Sequence, residues 1–369
     1  MRVLRVGMTY PRDIEPGVGQ HAFYHAKCSK NEELIITSKR PGKIVENRLG
    51  VRVVEIEFEN TGLGAYSDRG ITRIKKLLKK LFGQIVFLSK AKPFIDEYKP
   101  DLVHVYSPIP IMCGLYSRKK YNSKVVVSLH GSDALRISKN PYMKILLDVA
   151  DAIVSVSESM EEQLSSLGLK KEIKCIGNGV DLDVFRDFKE KREKQFIHVG
   201  SLRWQKGQQY LLEAFALFCE KYDDYSMEII GIGEREKELK CMCKELGIAE
   251  KVFFMGTQGR QAVAKEMNKS KAFVLTSVSE GFPKVIIEAM ATGTPVISTD
   301  VGNIKSVVGN AGIVVPSGDV VAIYNSMVRL VNDSELWNFC SFNSKERASS
   351  YSWKENTRRL EEVYEDVLK

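Results

Sequence analysis

The sequence lacks the marks of several protein classes. Its seven cysteines are odd in number, scattered and without a CxxC spacing, so neither a disulfide framework nor a cysteine zinc site is indicated. No window approaches the ~18 consecutive apolar residues that a membrane span needs. The start, MRVLRVGMTYPRD, has charges inside its apolar run, unlike a signal peptide. We therefore expect a cytoplasmic protein that does not cross a membrane.

Two phosphate-binding motifs are also missing. Gly231-Ile232-Gly233 follows a predicted strand, but Glu236 stands where the GxGxxG motif needs its third glycine. A GxxxxGK[ST] loop does not occur, which argues against phosphoryl transfer from ATP. The triplet Asp181-Leu182-Asp183 could hold a metal-bound diphosphate, yet it follows no strand closely, so we expect no metal site.

Positive charge is present in excess, and it is unevenly distributed. The net charge is +8 over 369 residues, a length that suggests two domains. Residues 1–185 hold 29 Lys+Arg and 21 Asp+Glu, a net +8, whereas residues 186–369 hold 26 of each, a net zero. This asymmetry indicates an anionic partner for the first half, either a membrane surface or an acidic substrate rather than nucleic acid. A solvated basic surface without a partner is the alternative.

Strand-like apolar runs alternate with helical stretches along most of the chain, which is typical of parallel βαβ units. The predicted strands are Leu4–Thr9, Leu34–Thr37, Val51–Ile56, Leu102–Tyr106, Val125–Leu129, Ala152–Val156, Ile173–Ile176, Phe196–Val199, Met227–Ile230, Val252–Phe254, Ala272–Leu275, Val296–Ser298 and Ile313–Val315. A charged stretch without an apolar period, Asp181 to Lys194, predicts a linker. We expect an α/β fold of two doubly wound parallel sheets, at 1–185 and 186–352, and a terminal amphipathic helix at 353–369.

A basic amphipathic helix is predicted over Ile71–Leu88. Apolar residues recur there at steps of three and four, while Arg73, Lys75, Lys76, Lys79 and Lys80 fall mostly opposite. The apolar stripe is consistent with packing on the core of an α/β domain. It is also consistent with contact to an anionic membrane surface.

Ligands of open parallel sheets bind beyond the carboxyl ends of the strands. Four such places carry polar or glycine-rich stretches: Gly17–Gly19, His130–Asp133, Gly200–Gly207 and Glu280–Glu288. A glycine pair alone usually marks a turn, and a lone histidine is more often structural than functional. The last two stretches carry charges and are the more informative.

The charges in these two stretches suit a phosphorylated sugar. Arg203 offers a planar fork and Lys206 a point charge, spaced so that both can reach one diphosphate. Glu280 lies on a loop before a predicted helix in which Pro283 takes the first position. Anions bind at helix N-termini, and Glu288, more than one turn into the helix, can accept hydrogen bonds from hydroxyl groups.

Several stretches together resemble one known family. Those stretches are Asn178-Gly179-Val180-Asp181 followed by Phe185, GSLRWQKG at 200–207, EGFPKVIIEAMATGTPVIST at 280–299, the glycine loop near the N-terminus and Tyr351-Ser352-Trp353. They resemble the retaining GT-B fold glycosyltransferases of family four, also called glycosyl transferases group 1. The resemblance spans nearly the whole chain, and its most specific part is the pair of glutamates in EGFPxxxxEAMAxGxPVI.

The resemblance implies a fold and an activity. Two Rossmann-like domains would face each other across a cleft, the first binding the acceptor and the second the donor, with the C-terminal helix crossing back to the first. A hexosyl unit would move from a UDP- or GDP-sugar to a glycan or lipid-linked acceptor, with no cofactor and no metal. The enzyme would be cytoplasmic, and the basic helix would allow peripheral contact with the inner membrane face.

The resemblance also implies roles for single residues. Arg203 and Lys206 would bind the donor diphosphate, and Glu288 would take the ribose hydroxyls. Glu280 and His130 would hold the donor sugar. The remaining implied donor contacts are Gly19, Gly281, Phe282, Pro283 and Lys284, with Gly233 and Met255 near the base. Many relatives carry glycine where Pro283 stands, and a proline removes one N–H that could contact the donor.

The resemblance implies front-face attack on the donor sugar, in which the departing diphosphate accepts the proton of the acceptor. Arg203 and Lys206 would stabilise the charge that develops on that diphosphate. Two other functions are compatible with the same fold. A nucleotide-sugar epimerase would convert the donor without an acceptor, and a non-catalytic glycan-binding subunit would not convert it at all.

Overall fold

A computed structural model describes residues 1–11, 19–44, 50–57, 71–107, 110–130, 133–138, 141–169 and 171–369, and only the backbone at 71–81, 135, 141 and 142. The chain forms two compact units. The first comprises Met1–Gly177 together with Trp353–Lys369, and the second comprises Asn178–Ser352. The domain boundary at residue 185 stays a prediction about folding units, which limited proteolysis can test.

The first unit has an α/β fold in which a helix lies between most successive strands. Its elements up to Gly177, where the chain passes into the second unit, are β1 (Arg2–Gly7), α1 (Gln20–Cys28), β2 (Glu32–Ser38), β3 (Arg52–Ile56), α2 (Ile71–Tyr98), β4 (Leu102–Val105), α3 (Ile111–Tyr121), β5 (Lys124–Ser128), α4 (Asp133–Ser138), α5 (Pro141–Asp148), β6 (Ala152–Ser155), α6 (Glu158–Ser166) and β7 (Ile173–Cys175). Its described strands pair in parallel in the order β3-β2-β1-β4-β5-β6-β7.

The second unit repeats this architecture. Its elements are β8 (Gln195–Val199), α7 (Gln208–Cys219), β9 (Ser226–Ile230), α8 (Glu236–Glu245), β10 (Val252–Gly256), α9 (Arg260–Lys269), β11 (Ala272–Leu275), α10 (Lys284–Ala291), β12 (Val296–Thr299), α11 (Ile304–Val308), β13 (Gly312–Val315), α12 (Val320–Asn332) and α13 (Ser334–Ser349). The strands pair in parallel in the order β10-β9-β8-β11-β12-β13. The predicted α/β class with two doubly wound parallel sheets is therefore confirmed.

The chain then returns to the first unit as α14 (Trp353–Leu368). Its apolar face is buried: Leu360, Val363 and Tyr364 pack with Val3 of β1 and Val126 of β5. A parallel strand is covered on both faces, so β1 needs a helix on each side of the sheet. The C-terminal helix supplies part of that cover.

A buried ion pair crosses the centre of the first sheet. Arg5 of β1 contacts both carboxylate oxygens of Glu33, with Nε 2.5 Å from Oε2 and Nη2 2.6 Å from Oε1. Its Nη1 donates to the hydroxyls of Tyr106 and Tyr364, each at 2.8 Å. Both charged side chains are fully buried, and the bidentate geometry together with the two tyrosines satisfies the guanidinium.

The predicted strands are all present, with ends that shift by one or two residues at most places. Helix α2 starts at Ile71 as predicted but continues to Tyr98, through Pro93. The side chains of Lys75, Lys76, Lys79 and Lys80 lie outside the described residues. The predicted linker from Asp181 to Lys194, which the structure describes throughout, has no helix or strand, although Phe185 is buried in the core of the second unit.

Candidate active site

The strand order of the second unit reverses between β8 and β11, which are direct neighbours. In such sheets the chain leaves the two central strands toward opposite faces, and a crevice opens beyond their carboxyl ends. The loop after β8 is Gly200–Gly207, and the loop after β11 is Thr276–Pro283. Two of the stretches singled out in the sequence thus meet at the point where this fold binds ligands.

The two loops are fastened to each other. The N–H of Val278 donates to the carbonyl of Gln205 at 2.9 Å, and the hydroxyl of Thr276 donates to the carbonyl of Gly207 at 2.9 Å. Gly207 has φ +62°, and a Cβ there would lie 2.0 Å from the carbonyl oxygen of Thr276. Only glycine allows both this left-handed conformation and this close approach. The loops therefore form one fixed surface.

An ion pair joins these loops. The ammonium of Lys206 lies 2.5 Å from Oε1 of Glu280, and the hydroxyl of Ser277 donates to the same oxygen at 2.7 Å. The side chains of Lys206 and Glu280 are 22% and 10% exposed, so water screens the pair only weakly. A cation and a carboxylate are thus held side by side at the mouth of the crevice.

Arg203 lies near this pair in the chain but is placed differently. It is exposed and has no side-chain partner within the described part of the chain. A short 3-10 helix, Trp204–Lys206, follows it and directs Lys206 back toward β11. Arg203 therefore presents an unpaired guanidinium, a group that binds phosphate through two parallel hydrogen bonds.

Helix α10 begins beside the ion pair. It starts at Lys284, so Pro283 lies one residue before the helix and not in its first position as predicted. Pro283 has ψ 98°, an extended value, and its carbonyl accepts from the N–H of Ile286. Gly281 is exposed, and the ring of Phe282 contacts that of Tyr351, with centroids 5.9 Å apart. The N-terminus of α10 thus follows directly on the loop that carries Glu280.

Glu288 lies one turn further, on the same face of α10 as Lys284. Burial raises the pKa of the Glu288 carboxyl, against the opposing charges of Arg260 and Lys284. Burial also lowers the pKa of Lys284 to about 8, although Glu288 acts in the other direction. Arg260 in turn lies 3.4 Å from a carboxylate oxygen of Asp181. Glu288 is therefore a half-buried carboxylate among two cations, suited to accepting hydrogen bonds from a diol.

Two apolar side chains are exposed at the carboxyl ends of the neighbouring strands β9 and β10: Ile232 follows β9, and Met255 is the penultimate residue of β10. Ile232 and Met255 are 59% and 40% exposed. Gly233 packs so closely on the loop Gly200–Gly207 that a Cβ there would lie 2.2 Å from the carbonyl oxygen of Leu202. An exposed apolar pair next to a close backbone approach can receive a flat ring.

His130 and Gly19 both belong to the first unit. His130 follows β5, and its backbone N–H donates to a carboxylate oxygen of Asp133 at 2.9 Å. Its ring lies 4.0 Å from that of His21, measured between centroids. Gly19 precedes α1 with φ +72°, in contact with the backbone of Tyr10. The rest of the predicted glycine loop, residues 17 and 18, lies outside the described residues.

Comparison with known proteins identifies the chain. Residues 32–184 match the description Glycosyltransferase Family 4, and residues 181–347 match Glycosyl transferases group 1. The chain belongs to this family of glycosyltransferases. An uncharacterized glycosyltransferase of Methanocaldococcus jannaschii is 29% identical over 88% of this chain and 93% of its own length. N-acetyl-alpha-D-glucosaminyl L-malate synthase of Bacillus anthracis is 28% identical over 77% of this chain and 80% of its own.

The fold of this glycosyltransferase is shared with solved structures. The Anabaena protein Alr3699/HepE in complex with UDP superposes with a TM-score of 0.77 at 18% identity, covering 99% of this chain and 100% of its own. That likeness agrees with the predicted GT-B fold class. Within the part of the chain that the structure describes, no helix has the length and apolarity to span a membrane.

Sequence reasoning missed some of the contacts in the glycosyltransferase site. Ser277 carries a signal, because it lies three residues before Glu280 on the loop after a buried strand. Arg260 carries none, and Asp181 stood out only as part of a family motif and of a possible metal-binding triplet; 79 residues separate the two, and only the fold brings them near Glu288. The pairing of Lys206 with Glu280 was also unexpected, since the resemblance gives the two residues separate roles.

Proposed function

We propose that this glycosyltransferase transfers a hexosyl unit from a UDP- or GDP-sugar to an anionic glycan or a lipid-linked acceptor, with retention of configuration and without a metal. The observation that carries the proposal is the Lys206–Glu280 pair at the point where the strand order reverses, beside the N-terminus of α10. A cation and a helix N-terminus bind phosphate, and a carboxylate binds sugar hydroxyls.

Lys206 and Arg203 stabilise the departing diphosphate. As the bond to the sugar breaks, negative charge develops on the phosphate oxygen, and positive groups fixed in advance lower the barrier. The contact with Glu280 fixes the ammonium of Lys206 before any donor arrives. Arg203 is exposed and closes on the diphosphate only when the donor is bound. Lys206 is thus in place before the donor binds, and Arg203 moves into place when it binds.

Glu288 and Glu280 hold opposite ends of the donor. Glu288 accepts hydrogen bonds from both ribose hydroxyls, and the diol replaces the water that burial has removed from the carboxylate. Glu280 keeps its second oxygen for a hydroxyl of the sugar. The backbone from Gly281 to Lys284 meets the sugar and the phosphate, and the base lies on Ile232 and Met255.

Retention follows from attack on the same face as the leaving group. The acceptor hydroxyl approaches beside the departing diphosphate, whose oxygen accepts its proton as the new glycosidic bond forms. His130 hydrogen-bonds a hydroxyl of the donor sugar and orients it. No proton has to pass through Glu280, which keeps its charge and its bond to Lys206 throughout.

The acceptor is anionic because residues 1–185 carry the whole net charge of +8. The related synthase of Bacillus anthracis has L-malate, an anion, in its name. Helix α2 adds a second argument for a lipid-linked acceptor: Phe82 and Ile85, three residues apart, are 67% and 50% exposed. An exposed apolar pair on a basic helix suits a membrane surface.

Calorimetry with UDP, GDP and their hexose conjugates tests the donor site. Lys206→Met and Glu288→Gln are expected to weaken binding of the preferred donor at least about tenfold, the loss of one charged hydrogen bond. The matched control is Lys240→Met, which removes an exposed lysine paired with Glu236. Unchanged affinity in both site variants would contradict the site assignment.

Incubation of the donor with and without acceptor separates the three functions. A transferase forms product only with an acceptor, and the coupling constant of its anomeric proton reports retention or inversion. Conversion of the donor alone to another sugar would indicate the epimerase, and no conversion in either arm a binding subunit. Full activity in the presence of EDTA is expected, and loss of activity would contradict metal independence.

Sedimentation with vesicles tests the membrane surface. Anionic vesicles are expected to bind the protein, and neutral vesicles are not. Replacing Lys75, Lys76, Lys79 and Lys80 by alanine, or Phe82 and Ile85 by serine, should abolish binding. Lys237→Ala/Lys240→Ala, on the second unit, is the charge control. Equal binding to both vesicle types would contradict this part of the proposal.

A further inference from the structure

Three aromatic rings of the first unit, those of His130, His21 and Trp353, form a continuous row. The ring of His130 lies 4.0 Å from that of His21, and the ring of His21 lies 5.3 Å from that of Trp353 at an interplanar angle of 88°. The ring of His130 is also parallel to that of Tyr106, with centroids 6.3 Å apart and planes within 7°. The imidazole of His130 is therefore packed with both His21 and Tyr106.

The far end of this row is firmly held. Trp353 is the first residue of α14 and is 3% exposed. Its indole stacks on the ring of Tyr24, with centroids 4.8 Å apart and planes within 7°. His21 lies one turn before Tyr24 on α1. Its ring packs against Trp353, which cannot shift without disturbing the core. A side chain fixed by such packing can fix the next one in turn.

We propose that His21 is a positioning residue for His130. It holds the imidazole of His130 in the orientation that meets the donor sugar, and it acts through ring packing rather than by touching the substrate. This inference rests on the proposed function, in which His130 hydrogen-bonds the sugar. Placement of a catalytic group within a fraction of an ångström matters because small displacements reduce rates strongly.

The row also reaches the place where the chain crosses between the units. Trp353 is the first residue of the first unit after the chain leaves the second, at Ser352. One ring, that of His21, therefore joins the residue at this crossing to His130. A displacement of Trp353 would reach the imidazole of His130 through two successive ring contacts.

Nuclear magnetic resonance tests the positioning directly, without donor or acceptor. The chain has five histidines. In protein labelled at histidine, each ring signal can be assigned by replacing one histidine at a time and observing which signal disappears. His21→Ala is expected to change the nuclear Overhauser effects between the rings of His130 and Tyr106, which report the orientation of the imidazole, while Lys27→Ala, an exposed residue on the same helix, is expected to leave them unchanged. Unchanged effects between the rings of His130 and Tyr106 in His21→Ala would overturn the proposal.

Kinetics with the preferred donor and acceptor provide the second arm. His21→Ala is expected to lower kcat about 10-fold to 100-fold while the donor KM changes less than roughly twofold. His21→Phe keeps a ring in place and is expected to restore most of kcat, with an unchanged unfolding temperature. A kcat for His21→Ala equal to that of the unaltered enzyme would overturn the proposal. If the unaltered enzyme transfers no sugar, the proposed function fails, and the resonance arm alone decides the positioning.

Discussion

Asn356 fixes a proton on Nε2 of His25. The Nε2 of His25 lies 2.7 Å from Oδ1 of Asn356, whose amide nitrogen donates to the carbonyls of Ile176 at 2.8 Å and Gly177 at 3.1 Å. Since that nitrogen faces two carbonyls, Oδ1 must accept, and Nε2 of His25 must carry a proton. Its Nδ1 lies 2.9 Å from the hydroxyl of Tyr106, within hydrogen-bond distance. Helix α14 is thereby tied to the last residues of the first unit before the crossing.

Asn356→Asp removes both donors and places a carboxylate against two carbonyl oxygens. We expect a loss of about 2–3 kcal/mol in the free energy of unfolding, because buried acceptors lose their partners. Urea unfolding followed by circular dichroism measures this change. Asn332→Asp, whose amide donates to Tyr222 at the surface, is the control, and a similar loss there would contradict the assignment.

Arg5→Met is expected to destabilise the protein by about 3–5 kcal/mol, because it leaves the carboxylate of Glu33 buried without its partner. The double variant Arg5→Met/Glu33→Leu should recover a large part of that loss, since no unpaired charge remains. Arg2→Met breaks the exposed contact with Asp101 and should cost less than about 1 kcal/mol. Urea unfolding of all three variants measures these differences. If the double variant were as unstable as Arg5→Met, the ion pair would not be the cause.

Comparison of Gly207→Ala with Gly247→Ala separates the cost of a left-handed backbone from the cost of a steric clash of the new Cβ. Gly247 also has a left-handed backbone, φ +70°, but a Cβ there would have no neighbour within 4 Å, whereas at Gly207 it would meet the carbonyl of Thr276. Gly247→Ala should therefore cost about 1–2 kcal/mol in the free energy of unfolding, and Gly207→Ala clearly more. Gly207→Ala should also weaken donor binding in calorimetry, because the loop that carries Lys206 must move. Equal costs at the two positions would show that the contact with Thr276 is unimportant.

Glu288→Gln should weaken donor binding and raise the stability of the fold, and the gain in stability should depend on pH. Burial raises the pKa of Glu288 above its ordinary value of 4.5, so the folded state binds this proton more tightly than the unfolded chain. Stability is then lost as the pH rises through the folded pKa, when this half-buried carboxyl ionises. Glu288→Gln should raise the unfolding temperature at mildly alkaline pH, with a gain that shrinks as the pH falls toward 4.5.

Thermal unfolding across this pH range measures the effect of Glu288→Gln, and Glu250→Gln, at an exposed position, controls for the loss of one charge. A stabilisation that does not depend on pH would contradict the raised pKa. Calorimetry on the same variant should show weaker donor binding, because the amide offers one acceptor oxygen in place of two and carries no charge. Natural sites commonly accept such a loss of stability in exchange for function.

The sequence was sufficient for the fold because the pattern of a parallel sheet is strong. A strand buried on both faces, such as Ala272–Leu275, is a continuous apolar run, and its ends are marked by turn residues. Such runs depend little on distant parts of the chain. The end of α2 was missed because Pro93 and the polar residues around it interrupt the apolar period, while the helix continues through them.

The site was only partly predictable, for a different reason. Arg203, Lys206, Glu280 and Glu288 could be singled out because each follows a predicted strand or enters a predicted helix. What they do to one another depends on the order of the strands in the sheet, and periodicity does not encode that order. The contact of Lys206 with Glu280, across 74 residues, needs β8 and β11 to be neighbours.

The return of the chain to the first unit has a consequence for its synthesis. Arg5 leaves the ribosome long before one of its hydrogen-bond partners, Tyr364, which belongs to α14. The first unit cannot complete its core until α14 has been made, whereas the second, Asn178–Ser352, emerges whole before that helix. We expect the second unit to finish folding first during translation, with the N-terminal half waiting for α14.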